Sequence, residues 1–270
     1  MRNIKFTIAY DGTDFSGWQA QPGQCTVQGV LTDVLEKLTQ RRLMIYAAGR
    51  TDAGVHAAGQ VVNFITQATL STGEFQHAFN SLLPASIRVN DAKEVGPDFH
   101  SRRDALAKTY KYRIFRGRVV PPFVWRYVHQ DPSALNFDAM AEAARHFVGE
   151  HDFTSFAAST GSEEEDRERT TIRTIYTSEL LRTQDADSRP LAEEWVYVVR
   201  GKSFLRYMVR KMVGTLVDVG RGKLGPADLP ELFVLRDRSK CGATMPPQGL
   251  CLENVEYPDP SDSLASTDQR

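Results

Sequence analysis

Residues 49–57 read Gly-Arg-Thr-Asp-Ala-Gly-Val-His-Ala. Asp52 is the only acidic residue between Glu36 and Glu74, and Arg50 lies two positions before it. Gly49 and Gly54 bracket the pair, and glycine admits backbone angles and close approaches that other residues resist. A lone carboxylate beside a cation in such a turn can be held as a nucleophile. The same pattern is also ordinary turn chemistry, because a short Asp side chain bonds nearby backbone. On spacing alone that reading is the stronger. The flanks shift the balance. Residues 43–48 are apolar and strand-like, and residues 60–65 are strand-like again. Asp52 therefore falls in a connection between strands, where binding and catalytic groups concentrate. His56, at the start of the second strand, reads as a polar residue that stabilises the loop.

Two more side chains draw notice. Tyr110 shares a strand face with Tyr112 and Ile114, while Lys111 and Arg113 point the other way. Strand tyrosines are ordinarily core. Here the neighbouring Lys108, Lys111 and Arg113 add the basic groups expected of a nucleic-acid surface. Arg206 and Arg210 are one helical turn apart and can present a joint basic face. Plain surface charge explains them equally well, unless Arg210 projects beside the apolar stripe. A buried guanidinium there would need a carboxylate such as Asp52.

Other chemistries are disfavoured. The sequence holds no Gly-x-x-x-x-Gly-Lys-Ser/Thr loop and no Gly-x-Gly-x-x-Gly after a strand. His146, Glu150 and His151 miss the inverted zincin spacing by one residue and read as structural or surface groups. Three widely spaced cysteines (Cys25, Cys241 and Cys251) argue against a disulfide framework and a cysteine zinc site. With no signal-like or membrane-length apolar block, the expectation is a cytoplasmic protein with no metal and no membrane anchor. The net charge of −1 is uninformative, but its distribution is not. Residues 1–130 hold 16 Lys+Arg against 10 Asp+Glu, whereas residues 131–270 hold 17 against 24. Residues 102–118 and 200–211 are locally basic patches.

These groups need a scaffold. Ile4, Phe6, Ile8 and Tyr10 alternate as a strand, and Val27 to Leu38 follow helical spacing behind Thr26 as N-cap. Strands near 43–48 and 60–66 come next. Ser71 and Glu74 form a capping box for a helix that Pro84 must end, and a strand follows over 87–95. The second half predicts a strand near 107–117, a helix capped by Asn136, and strands near 171–182 and 194–201. An amphipathic helix from Leu205 to Gly220, a short helix at 227–235 and a strand at 250–257 complete it. Each half reads β-α-β-β-α-β, the ferredoxin-like order. The expected class is α+β: an N-terminal lobe over 1–105 and a C-terminal lobe over 106–257, with antiparallel sheets meeting around a central cleft. Residues 163–168 read as an exposed acidic loop and 258–270 as a disordered tail.

With Asp52, Tyr110 and Arg210 in view, the chain resembles the tRNA pseudouridine synthase A family. The likeness runs through Tyr-Asp-Gly-Thr-Asp-Phe-Ser-Gly-Trp-Gln at 10–19, the 49–57 motif and Asn-Ser-Leu-Leu-Pro at 80–84. It continues through Lys-Thr-Tyr-Lys-Tyr-Arg-Ile at 108–114 and His-Asp-Phe-Thr-Ser-Phe at 151–156. Phe-Leu-Arg-Tyr-Met-Val-Arg at 204–210 and Pro-Pro-Gln-Gly-Leu-Cys-Leu at 246–252 complete it. Arg206-Tyr207 stands where the family often has an aromatic and then His, and Met245 where Ala is common. The resemblance implies the pseudouridine synthase fold, a homodimer, and tRNA bound through its anticodon stem-loop. It implies isomerisation of uridines at tRNA positions 38, 39 and 40. Asp52 would be the nucleophile, Tyr110 would stack on the target uracil, Arg210 would pair with Asp52, and Arg50 would replace the extruded base.

Isomerising uridine breaks the N1–C1′ bond, turns the base and rejoins it through C5, so no cofactor is needed. Sequence leaves open whether Asp52 attacks the ribose, attacks the base or assists a glycal route. Two alternatives stand beside this reading. A glycosidic-bond hydrolase would need a second carboxylate at the bond. A noncatalytic tRNA-binding protein on the same scaffold would leave uridines unchanged.

Overall fold

The computed structural model describes residues 1–158, 170–183 and 193–258. The acidic run at 163–168, and the expected tail beyond residue 258, lie outside these. In chain order the elements are β1 (Arg2–Tyr10), α1 (Val27–Thr39), β2 (Tyr46–Ala47), β3 (His56–Thr66), α2 (Thr72–Leu82) and β4 (Ile87–Val95). Then come β5 (Ala107–Phe115), β6 (His129–Gln130), α3 (Phe137–Arg145), β7 (Gly149–Asp152), β8 (Ile172–Thr183) and β9 (Glu194–Gly201). The last are α4 (Met208–Gly220), α5 (Leu229–Leu235) and β10 (Leu250–Glu256). The fold is mixed α+β. It divides into two compact units: Met1–Lys108 rejoined by the chain from Leu252, and Thr109–Cys251.

The first unit has strand order β4-β1-β3-β10, with β2 also on β3. β1 runs antiparallel to β3 and β4, so Phe6 lies opposite both Val62 and Ala92. The buried face of β1 carries Ile4, Phe6 and Ile8. Phe6 meets Phe64 at 5.2 Å and Phe79 at 5.0 Å, edge to face. Phe75 joins from the same helix as Phe79, at 6.4 Å from Phe6. Helix α2 starts at the Ser71–Glu74 capping box and stops at Leu82, before Pro84. Thr26 caps α1 as its spacing implies, accepting from the Gly29 amide.

Two expectations need correction here. The strand expected over 43–48 narrows to Tyr46 and Ala47. The Gln28 side chain donates to the Ile45 carbonyl at 3.1 Å, so that carbonyl is engaged by a side chain instead of the ladder. The last strand, which sequence order puts at the end of the second half, belongs with the first unit beside β3. Gly59 of β3 makes room for it: a Cβ there would stand 2.5 Å from the Glu253 carbonyl oxygen.

The second unit has strand order β5-β9-β8-β7, with β6 parallel to β5. β8 and β9 pair antiparallel, Leu180 opposite Tyr197. Asn136 caps α3 by accepting from the Ala139 amide. Helix α4 buries Met208, Met212, Val213 and Leu216. It begins at Met208 instead of Leu205, because Tyr207 adopts the left-handed conformation at φ +63°. Arg206 is therefore off the helix, and the joint helical face expected of Arg206 and Arg210 is not formed. Nearby, Phe147, Phe153, Phe156 and Phe233 cluster. His151 stacks flat on Phe233 at 4.3 Å, a structural role.

Phe79 joins α2 to the β1–β3 face through its contacts with Phe6 and Phe64. Phe79→Ala should lower stability by roughly 3–5 kcal/mol, the cost of a large core cavity. Urea unfolding measures it, and a loss below about 1 kcal/mol would show that the site repacks.

Candidate active site

The Asp52 turn joins β2 to β3 and is fixed from three sides within the first unit. Val55 donates its amide to the Asp52 carbonyl at 3.1 Å, closing the turn. Gly54 within it has φ +76°, a backbone state that suits glycine. At the base, the fully buried Gln60 holds Gly49 by both backbone groups. Its Nε2 donates to the Gly49 carbonyl at 2.7 Å, and its Oε1 accepts from the Gly49 amide at 3.4 Å.

The third restraint is the segment after β1. Trp18 donates its amide to the Thr51 carbonyl at 3.0 Å, and the Gly54 amide donates to the Phe15 carbonyl at 3.3 Å. The hydroxyls of Tyr10 and Thr51 are 2.8 Å apart, and both residues are buried. At Gly12 a Cβ would lie 2.0 Å from the Val55 carbonyl oxygen; at Gly17, whose φ is +92°, it would be 3.0 Å from the Thr51 carbonyl oxygen. Two glycines thus let one loop lie directly on the other. His56 completes the contact: its Nδ1 is 3.0 Å from the Gly12 nitrogen and 3.2 Å from Asp11 Oδ1. That is the loop-stabilising role its position suggests. Asp52 itself is half-buried, and Arg50 is exposed.

Tyr110 and Arg210 belong to the second unit. Tyr110 is 7% exposed on β5, its ring edge-on to Phe204 at 5.0 Å. Arg210 sits in the first turn of α4. Its Nε donates to the Met245 carbonyl at 2.6 Å, and its guanidinium carbon lies 5.0 Å from the Tyr207 ring centroid. Arg206 lies 4.8 Å from the same ring, so Tyr207 has a guanidinium at each contact. The left-handed state of Tyr207 costs about 1–2 kcal/mol, which these two cation–π contacts offset.

The Met245–Gly249 turn also fixes β5. Tyr112 donates its hydroxyl to the Pro246 carbonyl at 2.9 Å. Burial raises the Tyr112 pKa strongly, the Arg210 charge opposing it, so the phenol stays a neutral donor. Gly249 lies against the same ring, where a Cβ would be 2.7 Å away. Arg113 departs from the expected nucleic-acid face. It forms a two-pronged ion pair with Glu194 across β5 and β9, at 2.5 and 2.8 Å. Glu194 starts the neighbouring strand, and its charge was invisible from β5 alone.

The sequence reading missed Tyr10, Gly12, Gly17 and Gln60. The motif at 10–19 contains three of them, and its two glycines were the available signal. Gln60, one polar residue at a buried strand position, carried no such mark. Among the described residues, no three His, Cys, Asp or Glu side chains form a metal-binding group, and no helix is long and apolar enough to cross a membrane.

Residues 7–104 and 143–258 match the family model for tRNA pseudouridine synthase. The chain belongs to the tRNA pseudouridine synthase family, and is accordingly an isomerase acting on tRNA. Among its relatives is the tRNA pseudouridine synthase A of Solibacter usitatus, 45% identical over 95% of this chain and all of that one. Proteins of the same name from Caldicellulosiruptor saccharolyticus and Brevibacillus brevis are 41% and 42% identical, again over 95% of this chain and all of theirs.

Gly12→Ala forces the two loops apart. Pseudouridine formation should fall by about 100-fold or more, the scale expected for a displacement of about 1 Å in reacting geometry. Gly73→Ala, with nothing within 4 Å of the new methyl, should leave the rate unchanged. Equal rates for the two variants in single-turnover assays would remove the close contact from the mechanism.

Proposed function

We propose that this enzyme isomerises uridine to pseudouridine in the anticodon stem-loop of tRNA, with Asp52 as nucleophile. One observation carries the reading: the Asp52 turn is held at both ends and from its side. The Gln60 amide, the Trp18 and Gly54 amides and the Gly12–Val55 approach supply that restraint. Such rigidity supports precise positioning of a reacting group. The curated relatives named tRNA pseudouridine synthase A support tRNA as substrate. Positions 38, 39 and 40 and a homodimer follow from the sequence resemblance, a cytoplasmic home from the three widely spaced cysteines, and two ferredoxin-like lobes from the order of elements read in the sequence.

The reaction balances without an added reactant. The N1–C1′ bond breaks, the C5–C1′ bond forms, C5 gives up a proton and N1 gains one. The target uridine must first leave its stack, at a cost of a few kcal/mol. In this proposal Tyr110 recovers about 1–3 kcal/mol by stacking on the uracil. Its edge-on contact with Phe204 keeps the ring in place. Its hydroxyl is the proposed relay for the C5 proton. Arg50, exposed two residues before Asp52, fills the space that the base vacates. Arg210 pairs with the Asp52 carboxylate and keeps it ionised. Its contacts with the Met245 carbonyl and Tyr207 aim the planar guanidinium fork in one direction.

Asp52→Asn should abolish turnover while tRNA affinity stays within about threefold, as read by nucleotide-resolution chemical mapping of pseudouridine and by filter binding. Normal product from that variant would rule out Asp52 as nucleophile; free uracil from the parent enzyme would instead establish hydrolysis. Arg210→Lys keeps the charge but loses the planar fork, so kcat should drop at least tenfold. A parental kcat would count against the proposed ion pair.

A further inference from the structure

Residues 117–130 form a tied loop that leaves the end of β5 and closes through β6. The Gln130 side chain donates to the carbonyls of Gly117 and Arg118 at 3.0 and 2.7 Å, closing its base. β6 pairs with β5, Ile114 opposite His129, and Val128 is buried as an anchor. Two successive turns shape the tip: Val124 donates to the Pro121 carbonyl at 3.1 Å and Tyr127 to the Val124 carbonyl at 2.8 Å. Pro121 and Pro122 restrict the backbone further. On this frame stand Val119, Phe123 and Trp125, exposed by 82%, 89% and 54%. An ordered loop that offers several large apolar groups to solvent marks a binding face.

The charge around it selects the occupant. Between Asp104 and Asp131 there is no acidic residue, and Arg118 and Arg126 stand on the loop itself, whereas Arg113 and Arg116 of the preceding segment are committed to Glu194 and Asp131. Asp131 is itself engaged with Arg221 at 2.9 Å. Arg118 is exposed on the loop, and the Arg126 guanidinium lies 5.5 Å from the Trp125 ring centroid. Exposed aromatics interleaved with arginines suit unpaired nucleotides, whose bases stack and whose phosphates are anionic. β5 leads from Tyr110 toward this loop, with Phe115 about 16 Å further along the strand.

We propose that the 117–130 loop is a stacking platform for unpaired tRNA nucleotides that flank the target uridine. The inference rests on the tRNA substrate proposed above and adds a second aromatic contact to that of Tyr110. Because the loop is already tied, little ordering entropy is lost when RNA binds.

The three tryptophans allow a direct test. Trp18 and Trp195 are only 2% and 4% exposed, so acrylamide quenching of the free enzyme reads mainly Trp125. Unmodified anticodon stem-loop RNA should protect that fluorescence. Phe123→Ala and Trp125→Ala should each weaken binding of the same RNA by about 5- to 150-fold, the range for one stacked base. KM should rise while kcat changes far less, the salt dependence should keep its slope, and Trp125→Phe should retain most of the affinity. Unchanged affinity in both alanine variants would overturn the platform. So would a Trp125 already shielded in free enzyme whose alanine variant dissociates to monomers in sedimentation velocity, since the face would then belong to a second copy. Parent enzyme assayed in parallel separates the two levels. Isomerised tRNA with normal binding by the variants defeats the platform alone; no isomerisation by the parent defeats the substrate reading and the platform with it.

Discussion

The approach of Gly12 to the Val55 carbonyl is the constraint on which the rest of the first unit depends. There is no room for even one methyl group between the segment after β1 and the turn before β3. Because both segments extend directly from paired strands, the register of β1 on β3 sets where the Asp52 turn can sit. The Phe6–Phe64–Phe79 cluster fixes that register from the core side. Buried Gln60 then carries it to Gly49 through two hydrogen bonds. Hydrophobic packing selects the pairing, and polar contacts convert it into the position of one carboxylate.

The second unit uses different means. A single turn, Met245 to Gly249, meets both Arg210 and Tyr112, so the start of α4 and the middle of β5 share one support. The turn approaches α4 closely because Gly214 and Gly242 face each other: a Cβ on Gly214 would be 1.9 Å from the Ala243 carbonyl oxygen. Tyr207 holds an unfavourable backbone state at the same place, and two guanidinium groups pack on its ring. Strain of this kind persists only where surroundings over-determine it.

Much of this was legible in the chain. Alternation gave β1 and β5, helical spacing gave α1 and α2, and the Ser71–Glu74 box marked a helix start, because each depends on neighbours a few residues apart. The placement of Asp52 between strands was readable for the same reason. What escaped depends on distant partners. The Arg113–Glu194 ion pair spans two strands, so the run of basic residues around it looked more available than it is. The helical repeat from Leu205 to Leu216 continues smoothly through Tyr207, and nothing local signals its left-handed turn. The roles of Gly12 and Gln60 exist only once β1 and β3 are paired.

The return of β10 to the first unit bears on how the enzyme is made. β3 is almost entirely buried, and β10 lies beside it where Gly59 meets Glu253. During synthesis the ribosome emits residues 109–251 before that strand can form. At 5–20 residues per second, the delay is roughly 7–30 s. Throughout it, part of the β3 edge is an uncovered template for pairing with other chains. The unit that carries Asp52 is thus begun first and closed last. Nascent chains crowded on one message are exposed to mispairing during that interval, and a chain arrested before Leu252 cannot complete the sheet.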